Sequence, residues 1–226
     1  MCPTASTCRP FLLALAALLL PLLAVAKAPD SCEEQPPVPL MNAEDYKLYR
    51  EYKSALRDPR VQAIPESRRL GRVARNFSVP QSRLRDVVAL GEEIGEEQVR
   101  RQQEIALEAL ENSALKGRIR SVEFVETRGI VVAYVGWRTT EQERIVPEAA
   151  HIAKIVADSA PIVELVAMWA CMGEYKVFTA RIQSSSAARF NVERIDCFAE
   201  TRYIRLFEEV RNRFSGEPPE DDIGCD

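Results

Sequence analysis

Apolar positions recur at helical spacing through residues 42–115 and change to alternating or unbroken runs after Gly117. Asn42 is placed to cap a helix in which Tyr46, Tyr49, Tyr52 or Lys53, and Leu56 share a face, with Pro59 ending it after Asp58. Pro65 and Pro80 open two further helices, over 66–76 and from Gln81 to about Ile94. A fourth runs from Glu96 to Leu115, with Val99, Ala106, Leu110 and Ala114 on one stripe. The tyrosine cluster with Leu48 and Leu56 reads as packing rather than as a partner surface.

Beyond Gly117, residues 119–127 and 130–138 read as two strands joined by a tight turn at Arg128-Gly129. The second is apolar on both faces, with Val132 and Tyr134 against Val131, Ala133, Val135 and Trp137, as a central strand should be. Ile145, Ala149, Ile152, Ala153 and Val156 line a helix ended by Pro161. Residues 162–171 and 175–183 form a second strand pair around Met172-Gly173-Glu174. A closing helix is predicted from about Asp196 to Arg213, with Tyr203, Phe207, Val210 and Phe214 in register. Two helix-plus-hairpin units imply an α+β chain: a helical region at 42–116, then an antiparallel sheet of about four strands covered by helices at 117–214. A proline-rich linker at 27–41 and an acidic flexible tail at 215–226 flank them.

Composition changes the picture mainly at the N-terminus. The 226 residues are 46% hydrophobic and 28% charged, as in ordinary globular chains, which excludes collagen-like, coiled-coil-only and wholly disordered classes. A net charge of −4 argues against nucleic acid as an obligatory partner. After Cys8 and Arg9, the 17 residues Pro10 to Ala26 carry no charge and close on Ala24-Val25-Ala26. This reads as a secretory signal peptide over 1–26; a cut after Ala28 is disfavoured by Pro29. A membrane anchor is the competing reading, but the stretch is short for a span and contains Pro21, so no stable transmembrane segment is expected after cleavage.

Export places the protein in the periplasm or extracellular space and leaves Cys32, Cys171, Cys197 and Cys225 in an oxidising compartment. Four cysteines allow three pairings. The symmetrical choice is Cys32 with Cys225 and Cys171 with Cys197; alternatively Cys171, inside an apolar run, is a buried small hydrophobe. With no Cys-x-x-Cys and one His, zinc is disfavoured, and no cofactor is expected.

The densest charge feature is arginine. Residues 57–85 contain eight Arg, no Lys, and only Asp58 and Glu66 as acids. Arg68, Arg69, Arg72, Arg75, Arg83 and Arg85 form a candidate patch for an anion or an acidic partner. Arg72 to Leu84 resembles a helix-turn-helix core, with Ala74 as the small residue and Val79 and Leu84 packing the second helix, but Ser78 stands where Gly is usual and the leader points away from the genome. A structural alternative lies next door: residues 86–111 hold eight acids against Arg100 and Arg101, so neighbouring helices of opposite charge could complement each other.

Catalytic chemistry is sparse. His151 falls opposite the Ile145, Ala149 and Ile152 face beside Lys154, and reads as solvent-facing rather than as a general base. Ser184-Ser185-Ser186 lacks a nucleophile-elbow context and reads as a loop and helix cap. Glu92-Glu93 and Glu208-Glu209 sit in charge-mixed helical surroundings and read as solvated faces. Asn76-Phe77-Ser78 fits the N-glycosylation sequon, which matters only in a host that has that machinery.

Residues 122–166 resemble a BON domain: a strand, Gly129 in the turn, a strand ending at Gly136, a polar stretch with Glu143-Arg144, a helix with Ala149 and Ala153, and a strand after Pro161. Ala160-Pro161-Ile162 replaces the family's usual Gly-Val, and the second strand lacks polar alternation. The resemblance implies a non-catalytic module that contacts membranes or envelope proteins. The expectation is an exported, non-catalytic binding or structural protein meeting an envelope protein or an anionic surface. The alternatives are a divergent hydrolase, and a polyanion or lipid binder using residues 57–85.

Overall fold

The computed structural model describes residues 39–95, 97–191, 195, 203–215, 219 and 225. The expected leader, Cys32, Cys197, most of the linker and tail, and the first turns of the expected closing helix lie outside the described residues. Among the described residues, five helices precede the sheet: α1 (Ala43–Ala55), α2 (Pro59–Gln62), α3 (Glu66–Asn76), α4 (Gln81–Ile94) and α5 (Glu97–Glu111). Then come β1 (Ile119–Thr127), β2 (Ile130–Arg138), α6 (Ile145–Ser159), β3 (Leu165–Met172), β4 (Tyr175–Gln183), α7 (Ser184–Ala187) and β5 (Glu208–Asn212). The protein is α+β.

Local chemistry explains most boundaries. The Asn42 side chain accepts from the Asp45 amide at 2.8 Å, which caps α1. That helix stops at Ala55 rather than at Asp58, because Asp58 caps a short new helix whose first residue is Pro59. The turn between β1 and β2 is left-handed at both central residues, Arg128 (φ 50°) and Gly129 (φ 79°), as the twist of a two-residue hairpin requires. Glycine at the second of these avoids the Cβ clash that φ > 0 imposes.

The sheet corrects the antiparallel four-stranded expectation. Among the described residues it has five strands in the order β1-β2-β3-β4-β5, and β2 pairs with β3 in parallel, Val135 opposite Met168. The physical reason is α6, whose 15 residues carry the chain back to the end where β2 began, whereas each hairpin reverses direction. The fifth strand replaces the end of the expected closing helix. Residues 208–212 take up the free edge of β4, while Tyr203 and Phe207 still bury their rings, both against Phe190. The i,i+4 apolar pattern that suggested a helix is met by the short 3₁₀ turn Ile204–Leu206 between them.

The described residues form one compact unit. Val131, Ala133, Val135 and Trp137 of β2 are fully buried on the face that also carries Val166, Met168, Ala170, Phe178 and Ile182. Burying each larger aliphatic or aromatic side chain contributes about 1.5–3 kcal/mol. Helix α5 packs on β1, and α6 packs on β3 and on α5. On the opposite face, Gly136 leaves room for the Trp169 ring, which would lie 2.6 Å from any Cβ placed there.

Helix α1 is tied to this body by polar side chains. Gln98, fully buried in α5, accepts from the Met41 amide (2.9 Å) and donates to the Met41 carbonyl (3.0 Å). Arg50 donates to the Gly129 carbonyl at 2.8 Å and pairs with Glu164. Burial, reinforced by the Glu126 carboxylate, pushes the Tyr46 phenol up to about 12.

The disulfide pairing is also corrected. Cys171 bonds to Cys225, with Cα atoms 5.8 Å apart, in place of the Cys32–Cys225 and Cys171–Cys197 pairs. Cys171 lies near the end of β3, and Arg120 of β1 donates to the Cys225 carbonyl at 3.0 Å, so both strands hold that residue within bridging distance.

Candidate functional site

The six arginines singled out from sequence divide into three groups. Arg69 is a structural donor: its Nε and Nη2 reach the carbonyls of Ile64 (2.8 Å) and Gln62 (2.9 Å), closing the loop before α3. Arg83 reaches back from α4 to α1, 3.0 Å from Asp45 and 3.9 Å from Glu44. Arg68, Arg72, Arg75 and Arg85 are exposed, and their side chains make no ion pair or hydrogen bond among the described residues.

Helical spacing brings three of the free ones together. Arg68, Arg72 and Arg75 recur at i, i+4 and i+7 on α3, opposite Leu70, Val73, Ala74 and Phe77, which pack inward. Arg85 belongs to α4 and is separate from that stripe. Among the described residues, the expected complement from residues 86–111 does not form around them. Among the described residues, Glu92 pairs with Lys53 of α1 at 2.8 Å, and Glu97 and Glu104 pair with Arg100 and Arg101 of their own helix. The reason is distance along the chain: α5 carries cations one turn from its acids, so these acids are satisfied locally. The Arg100 guanidinium, with Arg101 beside it, holds the half-exposed Glu97 carboxyl down at about 2.

A second constellation was not legible as a site in the sequence. The connection from α5 to β1 folds over the first two turns of α6 and encloses a cleft of about 380 Å³. At its inner end is Glu148, whose side chain is 4% exposed. Its Oε1 accepts from Arg118 Nη1 at 2.5 Å, its Oε2 accepts from the Trp137 indole N–H at 2.9 Å, and Arg144 Nε stands 3.6 Å from Oε1. Both carboxylate oxygens are thus engaged, and the charge is matched where it is buried.

His151, one turn further along α6, lines the same cleft and is half-buried, not simply solvent-facing. The connection folded over α6 supplies the cover that helical periodicity alone could not reveal. Leu115, Pro147 and Ile155 supply apolar wall, and Glu143 stands exposed at the rim. The one signal available in the sequence is Glu148 itself, an acid falling between Ile145 and Ala149 on the apolar face of its helix.

Two further features complete the chemistry. Among the described residues no group of three or more His, Cys, Asp or Glu side chains comes together as a metal site. Nor is any helix among them long and apolar enough to cross a membrane. Compared with protein-family models, curated proteins and solved structures, the chain finds no match.

Proposed function

We propose that this is an exported, non-catalytic binding protein of the cell envelope or extracellular space, which meets an anionic surface through the arginine stripe of α3. The observation that carries this reading is the set Arg68, Arg72 and Arg75: three guanidiniums on one exposed helix face with no counter-charge among the described residues. Among the described residues, Arg50, Arg69 and Arg118 by contrast each have a partner within the fold. Three that have none are available for an external anion, and the planar fork of arginine suits phosphate, sulfate or carboxylate oxygens.

Support for the location comes from the leader pattern of residues 1–26 and from a disulfide, which persists in oxidising compartments. The likeness of residues 122–166 to a BON module, which contacts membranes or envelope proteins, points the same way. Co-sedimentation with vesicles tests the reading. Binding to vesicles rich in phosphatidylglycerol, absent with phosphatidylcholine alone and weakened by salt, is the expected result. The triple variant Arg68→Gln, Arg72→Gln, Arg75→Gln should lose most of that binding while keeping its fold. Retention on heparin without vesicle binding would redirect the reading to a soluble polyanion, and equal binding to neutral vesicles would overturn it.

A further inference from the structure

We propose that the cleft beside Glu148 is a binding site for a small monocarboxylate with a short apolar tail. Its size, about 380 Å³, lies at the lower end of small-molecule pockets and excludes bulky ligands. Its chemistry follows from which groups are already used. Glu148 has both oxygens engaged, so it offers little to a cationic ligand. The guanidiniums that approach it are not used up.

Arg118 gives Glu148 one bond from a fork of five N–H donors, and its side chain remains a quarter exposed. Arg144 stands at 3.6 Å with more than half its side chain exposed, a loose contact that leaves its other donors free. Because both cations converge on the same Glu148 oxygen, they present neighbouring donors to a single incoming carboxylate.

Two other wall components narrow the ligand. Leu115, Pro147 and Ile155 accept an apolar tail of a few carbons. The Glu143 carboxylate at the rim repels a second negative charge, which disfavours dicarboxylates and phosphate. The remaining ionisable wall residue, His151, lies a turn beyond Glu148. The same carboxylate chemistry could arrive on a free short-chain acid or at the C-terminus of a peptide. This site is independent of the α3 stripe, so either can fail without the other.

Nuclear magnetic resonance of the full-length oxidised protein supplies the test. The Trp137 indole N–H, bonded to Glu148, is a reporter inside the site, alongside the amides of residues 113–118 and 143–151. Butyrate should shift these signals in a saturable manner, and n-butanol and inorganic phosphate should not. Arg144→Gln, which removes an exposed side chain and leaves the Arg118–Glu148 pair intact, should weaken butyrate about tenfold or more.

An acetylated dipeptide with a free C-terminus, compared with its amide, separates the two sources. Tighter binding of the peptide acid than of butyrate assigns a chain terminus, and weaker binding assigns a free acid. Absence of saturable shifts with both acids, equal response to n-butanol or phosphate, or unchanged affinity in Arg144→Gln would each overturn the proposal. Loss of vesicle binding in the α3 triple variant with butyrate binding preserved would confirm that the two sites are separate.

Discussion

Arginine serves opposite purposes in two regions of this molecule. Around α6, Arg118 neutralises a carboxylate that is almost wholly buried, and the indole of Trp137 completes its hydrogen bonding. On α3, Arg68, Arg72 and Arg75 stand in solvent with nothing to neutralise. The residue type is the same; burial of the partner decides whether the charge belongs to the fold or remains for something outside it. Between these extremes lie Arg69, which satisfies backbone carbonyls, and Arg83, which makes exposed ion pairs.

That gradient can be broken from its steep end. Glu148→Ala strands the Arg118 charge and orphans the Trp137 N–H, and should lower unfolding stability by about 3 kcal/mol, read as a shifted urea midpoint with unchanged slope. Replacing Glu148 and Arg118 together by Met should recover much of the loss, since the cost arises from an unpaired group rather than from the pair's net worth. If the double variant is as unstable as the single one, the Trp137 hydrogen bond or packing, and not charge, is what Glu148 supplies.

Arg69→Ala comes next, at about 1 kcal/mol, because two carbonyls at the edge of a loop lose a donor but keep access to water. The α3 triple Gln variant should change stability by less than about 0.5 kcal/mol. A thermal shift of several degrees in that variant would mean that the stripe supports the fold and that the contrast with α6 is false.

The finest distinction is electrostatic. The folded-state value of Glu97 is depressed to about 2 from an ordinary 4.5, so its contribution is fully present above about 4.5 and is lost as the pH falls towards 2. The carboxylate is partly exposed, so salt should screen the effect. The expected observation is a small difference between wild type and Glu97→Gln in thermal midpoint above pH 5, vanishing near pH 2 and in high salt. A large, salt-resistant difference would place Glu97 among the buried pairs.

Legibility in the sequence followed the range of the forces involved. The bounds of α3 and α4 and of β1, β2 and β4 agree with the sequence reading, because prolines, turn residues and apolar spacing act locally. The parallel pairing of β2 with β3 did not show, since periodicity says nothing about which strands meet. β5 was hidden by a helix-like Tyr203 and Phe207 spacing that aromatic packing on Phe190 satisfies in another way. The Glu148 cleft joins residues after α5 to residues of α6 that share no motif, and the bonds between Gln98 and Met41 link positions 57 apart that no local pattern connects. The arginine stripe was visible as composition, yet only the fold separates Arg69 and Arg83, which are occupied, from Arg68, Arg72 and Arg75, which are not.

The covalent link from Cys171 to Cys225 spans 54 positions of the chain, including all of β4 and β5. A protease that nicks the backbone once anywhere in that interval therefore releases no fragment: the two pieces migrate together on a gel until a thiol is added. Cleavage there would go unnoticed in any preparation handled only under oxidising conditions.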